Sequence, residues 1–356
     1  MTSLKSQSND IADKHTPLLR NFWYVAAKRD EITRAPIRRT ILNEDILFYR
    51  TEEGKPVAVQ NRCPHRSFPL HNGYLNGDRI VCNYHGMEFN PDGSCGLVPS
   101  LNSAPRSIRL DAYPLQEEGP FVWIWMGDQA NPDYTRFFRE DWWDKPRWTV
   151  LTGYMFMKAN YLGLHENLMD LTHFAFLHSK WNLAKREHTL APCTITDEGN
   201  HIRQFEVHEG VDFPPALAEY AGMKGPFNRE AHHLARTPAM QEGHQITVDV
   251  SQAGKTDEQY ITHYMTPETA TTTHYYWALA LEHGGGDSVL LGQMQTLAGA
   301  AFEEDKVALE EIEAIQNRDH RPGFSERIIK TDEGGVRVLR MFAKFAADEA
   351  RQTIAA

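Results

Sequence analysis

Two short segments hold residues able to bind metal: Cys63-Pro64-His65 and, after sixteen further residues, Cys82-Asn83-Tyr84-His85. Each contributes one thiolate and one imidazole, and this interleaved order suits two metals better than one. A [2Fe–2S] cluster with two cysteines on one iron and two histidines on the other needs this ligand set, and the neutral imidazoles raise its reduction potential above that of an all-cysteine cluster. Zinc also accepts two cysteines and two histidines, but zinc fingers ordinarily write the cysteine pair first and the histidine pair later. Cys63, His65, Cys82 and His85 therefore point to an electron-transfer centre. Gly73, Gly86 and Gly93 suit the tight loops that hold a cluster, and Pro64 stiffens one of them. Cys95 reads as a small buried residue, and Cys193 is isolated.

A centre that moves single electrons does no bond chemistry, so the rest of the chain is expected to hold a group that uses them. The stretch Glu166-Asn167-Leu168-Met169-Asp170-Leu171-Thr172-His173, continuing to His178, is the candidate. Two histidines plus a carboxylate with open positions describe the facial triad with which non-haem Fe(II) meets dioxygen. On an ideal helix Asp170 and His173 share a face, whereas His178 lies about 140° round from His173 at about 100° per residue. Both imidazoles reach one iron only if the helix is distorted or ends between them; in an unbroken helix they are core histidines.

The elements that must position these residues follow from composition and pattern. The chain has 356 residues, 41% hydrophobic and 24% charged, enough for two domains with separate cores. Residues 1–17 are polar and expected to be mobile. With no secretion signal and no apolar run long enough to span a bilayer, a cytoplasmic protein with no membrane role is expected. Four cysteines, two of them committed to the cluster, leave no disulfide framework. The net charge of −11 argues against nucleic-acid binding. Residues 18–130 read as short strands cut by turn residues, an all-β cluster domain ending after Phe121-Val122-Trp123-Ile124-Trp125. Residues 131–356 mix a helix over 162–177, strands over 245–252 and 259–282, a charged helix over 294–318, and a tail helix over 335–350 with Val336, Leu339, Phe342 and Phe345 on one face. The fold class is α+β: an all-β domain, then a catalytic domain with an antiparallel sheet flanked by helices.

Several of these motifs occur together in one known family. Cys63-Pro64-His65-Arg66 with Pro69-Leu70 and Gly73, Cys82 to Gly86 with Glu88-Phe89, the opening Arg20-Asn21-Phe22-Trp23-Tyr24-Val25-Ala26, and Asn167-Leu168-Met169-Asp170 before two histidines resemble the Rieske non-haem iron oxygenases. The likeness runs from about Leu18 to Ala346 and looks nearest to the subgroup of vanillate O-demethylase, dicamba O-demethylase and toluenesulfonate methyl-monooxygenase. It implies a Rieske [2Fe–2S] cluster on Cys63, His65, Cys82 and His85, and a mononuclear Fe(II) on His173, His178 and Asp305, with Glu303, Glu304 and Glu310 as competing acids on a solvated helix face. It also implies that Asp170 hydrogen-bonds a ligand histidine and links the iron to the cluster of a neighbouring subunit. Because cluster and iron of one subunit would be too far apart, a homotrimer follows. Asn167 would support the iron without ligating it.

By the same resemblance, electrons come from NADH through a separate flavin and iron–sulfur reductase, since this chain has no nucleotide-binding glycine fingerprint. With O2 the protein would monooxygenate an aromatic small molecule. O-demethylation of a methoxylated aromatic acid is the leading reading, with ring or side-chain hydroxylation, or dioxygenation, as the alternative. A Rieske electron carrier without oxygenase activity would need only the first hundred or so residues. His263 is expected to meet substrate on a pocket strand, with Met294 and Thr296 near the helix that precedes Asp305. A hairpin of simple register would turn His274 and Tyr276 to the opposite side from His263.

Overall fold

The computed structural model describes residues 10–181, 183–282, 288–321, 324 and 326–355, in two compact units. The first comprises Arg20–Arg139 with Thr266–Thr269. Its strands are β1 (Trp23–Lys28), β2 (Ile37–Ile41), β3 (Glu44–Arg50), β4 (Pro56–Gln60), β5 (Tyr74–Asn76), β6 (Arg79–Val81), β7 (Glu88–Phe89), β8 (Cys95–Leu97), β9 (Leu115–Glu118) and β10 (Phe121–Trp125). They form three sheets, β1-β10-β9, β2-β3-β4 and β5-β6-β7-β8. All five residues of β10 are buried, as a continuous aromatic and β-branched run requires, and Trp125 pairs with Trp23. Leu47, Tyr49, Val59, Leu70, Ile80 and Phe89 build the core beneath the cluster loops, and Cys63, Cys82 and Cys95 belong to it.

The second unit is built on a seven-stranded antiparallel sheet. Its strands are β11 (Thr149–Met157), β12 (Cys193–Asp197), β13 (Ile202–Val211), β14 (Phe227–Thr237), β15 (Met240–Asp249), β16 (Thr256–Thr269) and β17 (Thr272–Leu281), in the order β11-β17-β16-β15-β14-β13-β12. Four helices accompany it: α1 (Tyr161–Met169), α2 (Pro215–Ala221), α3 (Ser288–Arg318) and α4 (Glu333–Ala355). α1 packs against α3 and α4. Gly153 of β11 faces Trp277 of β17, where a Cβ would stand 2.1 Å from the indole, so only glycine lets that ring lie down. Directly opposed residues share a face of the sheet. Gln204, His233, Gly243 and Ile261 therefore form one row, and Ile202, Ala235, Gln241 and His263 the row beside it. That face is turned to α3, whose Phe302 meets His263, Tyr275 and Trp277 at centroid distances of 5.3, 6.0 and 5.3 Å.

Three expectations change. The helix over 162–177 stops at Met169: the Asp170 carboxylate accepts from the Thr172 N–H and hydroxyl and starts a 3-10 turn over Leu171–Ala175, a short acidic side chain winning the backbone from the helix. Residues 1–9 of the expected mobile terminus lie outside the described residues, but 10–16 are held. Ala12 is buried and its N–H donates to the Leu339 carbonyl at 3.0 Å. The division expected near residue 130 falls instead after Arg139, because Trp23 binds the Asp133 carbonyl and packs on Tyr134 and Phe137. The charged helix and the tail helix form, the first beginning earlier, at Ser288, and ending at Arg318 as expected, the second extended at both ends.

Candidate metal centres

In the first unit, two loops share one construction. The Cys63 N–H donates to the Phe68 carbonyl and the Ser67 N–H returns to the Cys63 carbonyl; Cys82 N–H to Met87 and Gly86 N–H to Cys82 repeat the pattern, all at 2.8–2.9 Å. Each loop has a left-handed residue four places after its cysteine: Gly86 at φ +71°, where glycine is at ease, and Ser67 at φ +56°, which the sequence did not announce. The outcome is a division of labour. Cys63 and Cys82 are buried side by side, with burial and then the Cys82 thiol pushing the Cys63 thiol up to about 11, while His65 and His85 stand exposed with ring centroids 4.6 Å apart. Two thiols inside and two imidazoles outside fit a diiron cluster with sulfur ligands at one end and nitrogen ligands at the other. A single tetrahedral ion would need all four to converge.

In the second unit, donor atoms of His173, His178 and Asp305 lie within 4.8 Å of one another. The break after α1 makes this possible, because His173 sits in the 3-10 turn and His178 beyond it. Asp305 is delivered by α3, whose buried stripe runs Phe302, Asp305, Leu309 and Glu313. The Nε2 atoms of His173 and His178 face Asp305 Oδ1 at 3.4 and 3.2 Å. Both Nδ1–H groups are already committed: His173 donates to the Asp170 carbonyl at 2.5 Å and His178 to Glu304 Oε2 at 2.8 Å. Those bonds fix the tautomer that turns an Nε2 lone pair inward, which is what a metal-binding imidazole requires. His173 Nε2 is buried without a hydrogen-bond partner. Burial pushes the Asp305 carboxyl up, yet the His173 and His178 rings beside it outweigh that and hold the group down at about 2. This donor set fits a mononuclear Fe(II) with open positions.

The surroundings sort the remaining residues. Asn167 Nδ2 donates to Asp305 Oδ1 at 3.2 Å. Among the three nearby acids, Glu304 orients His178 and accepts from Trp181 Nε1, Glu303 pairs with Lys306, and Glu310 accepts the Lys158 N–H. The Asp170 carboxylate accepts from Thr172 through Oδ1, and the Asp170 backbone carbonyl is the group that meets His173. His263 is buried on the inner face, shares a 2.6 Å hydrogen bond with the Tyr275 hydroxyl, and is pulled down to about 3 by burial. His274 meets Tyr154 instead, on the other side, as the hairpin expectation had it. Met294 is buried, but Thr296 is exposed and its hydroxyl bonds the Gly292 carbonyl of its own helix, so it turns away from the site. The sequence reading missed Glu304 as an orienting group and the polar inward row of β13.

A family model of the vanillate O-demethylase oxygenase C-terminal domain matches residues 157–348, and a model of the Rieske [2Fe-2S] domain matches residues 22–114. The toluene-4-sulfonate monooxygenase system iron-sulfur subunit of Comamonas testosteroni is 35% identical over 327 residues, covering 83% of this chain and 88% of that protein. The dicamba O-demethylase oxygenase component of Stenotrophomonas maltophilia is 30% identical over 339 residues, covering 93% and 99%. The crystal structure of dicamba monooxygenase with non-haem iron and dicamba matches with a TM-score of 0.81 at 27% identity, over 94% of this chain and 99% of that one. The chain belongs to the Rieske-type oxygenase components that carry a vanillate O-demethylase oxygenase C-terminal domain, oxidoreductases that hold a [2Fe–2S] cluster and a mononuclear iron.

Proposed function

We propose that this protein is a terminal oxygenase that removes the methyl group of a methoxylated aromatic acid, working in the cytoplasm as a homotrimer with electrons passed from NADH by a separate flavin and iron–sulfur reductase. The observation that supports it most is the convergence of His173 Nε2, His178 Nε2 and Asp305 Oδ1 beside an enclosed sheet face carrying His263 and Tyr275. Bound at its residues, the cluster supplies single electrons and the iron supplies the activation of dioxygen that places one oxygen atom in a C–H bond.

The chain's own groups do the positioning. Cys63 and Cys82 anchor one end of the cluster in the core, and exposed His65 and His85 offer the other end to a redox partner. Thr172 occupies Asp170 Oδ1, which leaves Oδ2 to meet His85 of the partner subunit in the trimer. Asn167 steadies Asp305, and Phe302, Tyr275 and Trp277 keep water from the reacting carbon. Once the ether methyl carries a hydroxyl, the hemiacetal C–O bond breaks, its hydroxyl proton passes to the phenol oxygen, and formaldehyde leaves.

Side-chain hydroxylation is the second reading, favoured by the 35% identity to the toluene-4-sulfonate monooxygenase subunit. Mass spectrometry of products from 4-methoxybenzoate and toluene-4-sulfonate, with NADH and a surrogate reductase, separates the two. Methyl loss with formaldehyde supports demethylation. Oxygen gain with every methyl retained transfers support to hydroxylation, and absence of any oxygenated product from both compounds overturns each.

A further inference from the structure

β13 is patterned backwards. Along Ile202–Val211, Gln204, Glu206 and His208 point inward and are buried, whereas Phe205 and Val207 point outward, with Val207 38% exposed. A strand that covers a core buries its apolar residues, so an inward polar row belongs to a lined space. The row's groups are only partly matched. Gln204 Nε2 donates to Glu206 Oε1 at 2.8 Å and His208 Nε2–H donates to Glu206 Oε2 at 3.0 Å, yet Gln204 Oε1, His208 Nδ1 and the neighbouring His233 Nε2 are buried with no hydrogen-bond partner. His188 stacks flat on His208 at 4.9 Å and is itself fixed, accepting from the Lys185 N–H and donating to the Glu209 carbonyl.

Arg229 of β14 stands directly opposite His208 on this face and is 8% exposed. Among the described residues its guanidinium has one hydrogen-bond partner, the Leu183 carbonyl at 2.8 Å, and no carboxylate in ion-pair range. Glu206 is committed to Gln204, His208 and Cys193, and Asp257, the acid of the same row, lies two strands away, about 10 Å at ordinary strand spacing. Burial pulls the Arg229 guanidinium down to about 10, with nothing opposing it. A buried cation without an anion is costly, and native proteins pair such charges. The row of His233 lies four residues along β14 from Arg229, about 13 Å at about 3.3 Å per residue, and the next row carries His263, which meets Phe302 on the α3 stripe that holds Asp305. A benzene ring with its reacting group at the triad can turn an opposite substituent toward the arginine, which reaches back along the strand.

We propose that Arg229 is the anion-recognition residue of the substrate pocket, pairing with the carboxylate or sulfonate of an aromatic acid. This rests on the oxygenase reading of the same site and adds the residue that takes the acid group of its substrate. The guanidinium fork takes either anion in two hydrogen bonds, while Leu183, in the segment after His178, is tied to the same side chain. Arg229 thus determines specificity without touching the iron.

The test is binding to the full-length, metal-loaded protein without NADH or reductase, with 4-methoxybenzoate and toluene-4-sulfonate compared against neutral 4-methoxybenzamide and toluene-4-sulfonamide. Wild type should favour at least one acid over its neutral counterpart by about thirtyfold or more. Arg229→Gln, which can still donate to the Leu183 carbonyl, should bring that ratio near one, and Arg229→Lys should keep part of it. Equal binding of acids and neutral counterparts by wild type overturns the proposal, as does a wild-type ratio in Arg229→Gln. If Arg229→Gln fails to melt cooperatively, the wild-type ratio and Arg229→Lys decide alone. An acid preference without formaldehyde release sinks the demethylation reading and leaves Arg229 in place; formaldehyde release without acid preference does the reverse.

Discussion

Glu304 is the group through which α3 controls His178, and Glu304→Gln isolates what its charge contributes. The carboxylate accepts the His178 Nδ1–H at 2.8 Å and its side chain is only 17% exposed, so solvent screens the contact little. Hydrogen bonds to charged groups contribute about 1.5–3 kcal/mol and neutral ones about 0.5–1.5 kcal/mol. The difference of about 1 kcal/mol predicts a loss of roughly fivefold to tenfold in affinity for the mononuclear iron. A glutamine can also flip and offer its NH2 to Nδ1, which favours the tautomer with a proton on Nε2 and pushes the loss toward the hundredfold end of second-shell effects. The assay is competition for iron against a graded chelator, with cluster absorbance as the internal reference. Lys180 also pairs with Glu304, but its side chain is 62% exposed, so Lys180→Gln should leave iron affinity within about twofold. The reasoning is refuted if Glu304→Gln binds iron as tightly as wild type, or if Lys180→Gln weakens it as much.

Asp305→Ala should lose the mononuclear iron and keep the cluster's absorbance; metal analysis showing unchanged iron would move the ligand to a neighbouring glutamate. Asp170→Asn should retain both metals and abolish turnover, and retained product formation would remove Asp170 from the electron route. His165 is fully buried, its Nε2–H donating to the Pro238 carbonyl and its Nδ1 facing Gln241, and burial pulls it down from 6.5 to about 4. The unfolded chain therefore binds the proton first. Stability from neutral His165 is complete above pH 6.5 and declines toward pH 4 by about 3 kcal/mol. Melting of His165→Gln should show a shallower acid slope than wild type, and an equal slope would reject this origin. Gly153→Ala puts a methyl group into the Trp277 ring and should destabilise the second unit by about 1–3 kcal/mol or more, read from denaturant midpoints; an unchanged midpoint would show that the indole yields freely.

The candidate cluster loops and the histidine pair were legible because their donors are rare residue types at fixed short spacings, whereas Asp305 came from the family resemblance. Asp305 carried a further signal: with Phe302 three residues before it and Leu309 four after, it occupies the buried stripe of α3, where a carboxylate must have a partner. The 3-10 break was legible as a requirement, since two histidines five apart cannot share a helical face, but its cause, Asp170 capping Thr172, is a local competition between two backbone states. The pocket strands were not legible. In β13 polar residues face in and apolar residues face out, so alternation alone assigns the wrong face to the interior. Thr296 fell on the exposed side of α3 because phase along a helix of thirty-one residues cannot be set by nearness to a ligand.

The two histidines beside Asp305 are held by different parents. His173 is pinned by the backbone at the end of α1, whereas His178 is pinned by Glu304, next to Asp305 on α3. Seen mechanically, the site is a clasp with two jaws: α1 brings one ring, and α3 brings the carboxylate and steers the other ring. An ion gripped by both jaws closes a chain loop that runs through the whole pocket sheet, from His178 to Asp305. Iron is then a fastener as well as a reagent. Removing the ion would undo that closure and leave α1 and α3 joined by their packing and the Asn167–Asp305 hydrogen bond.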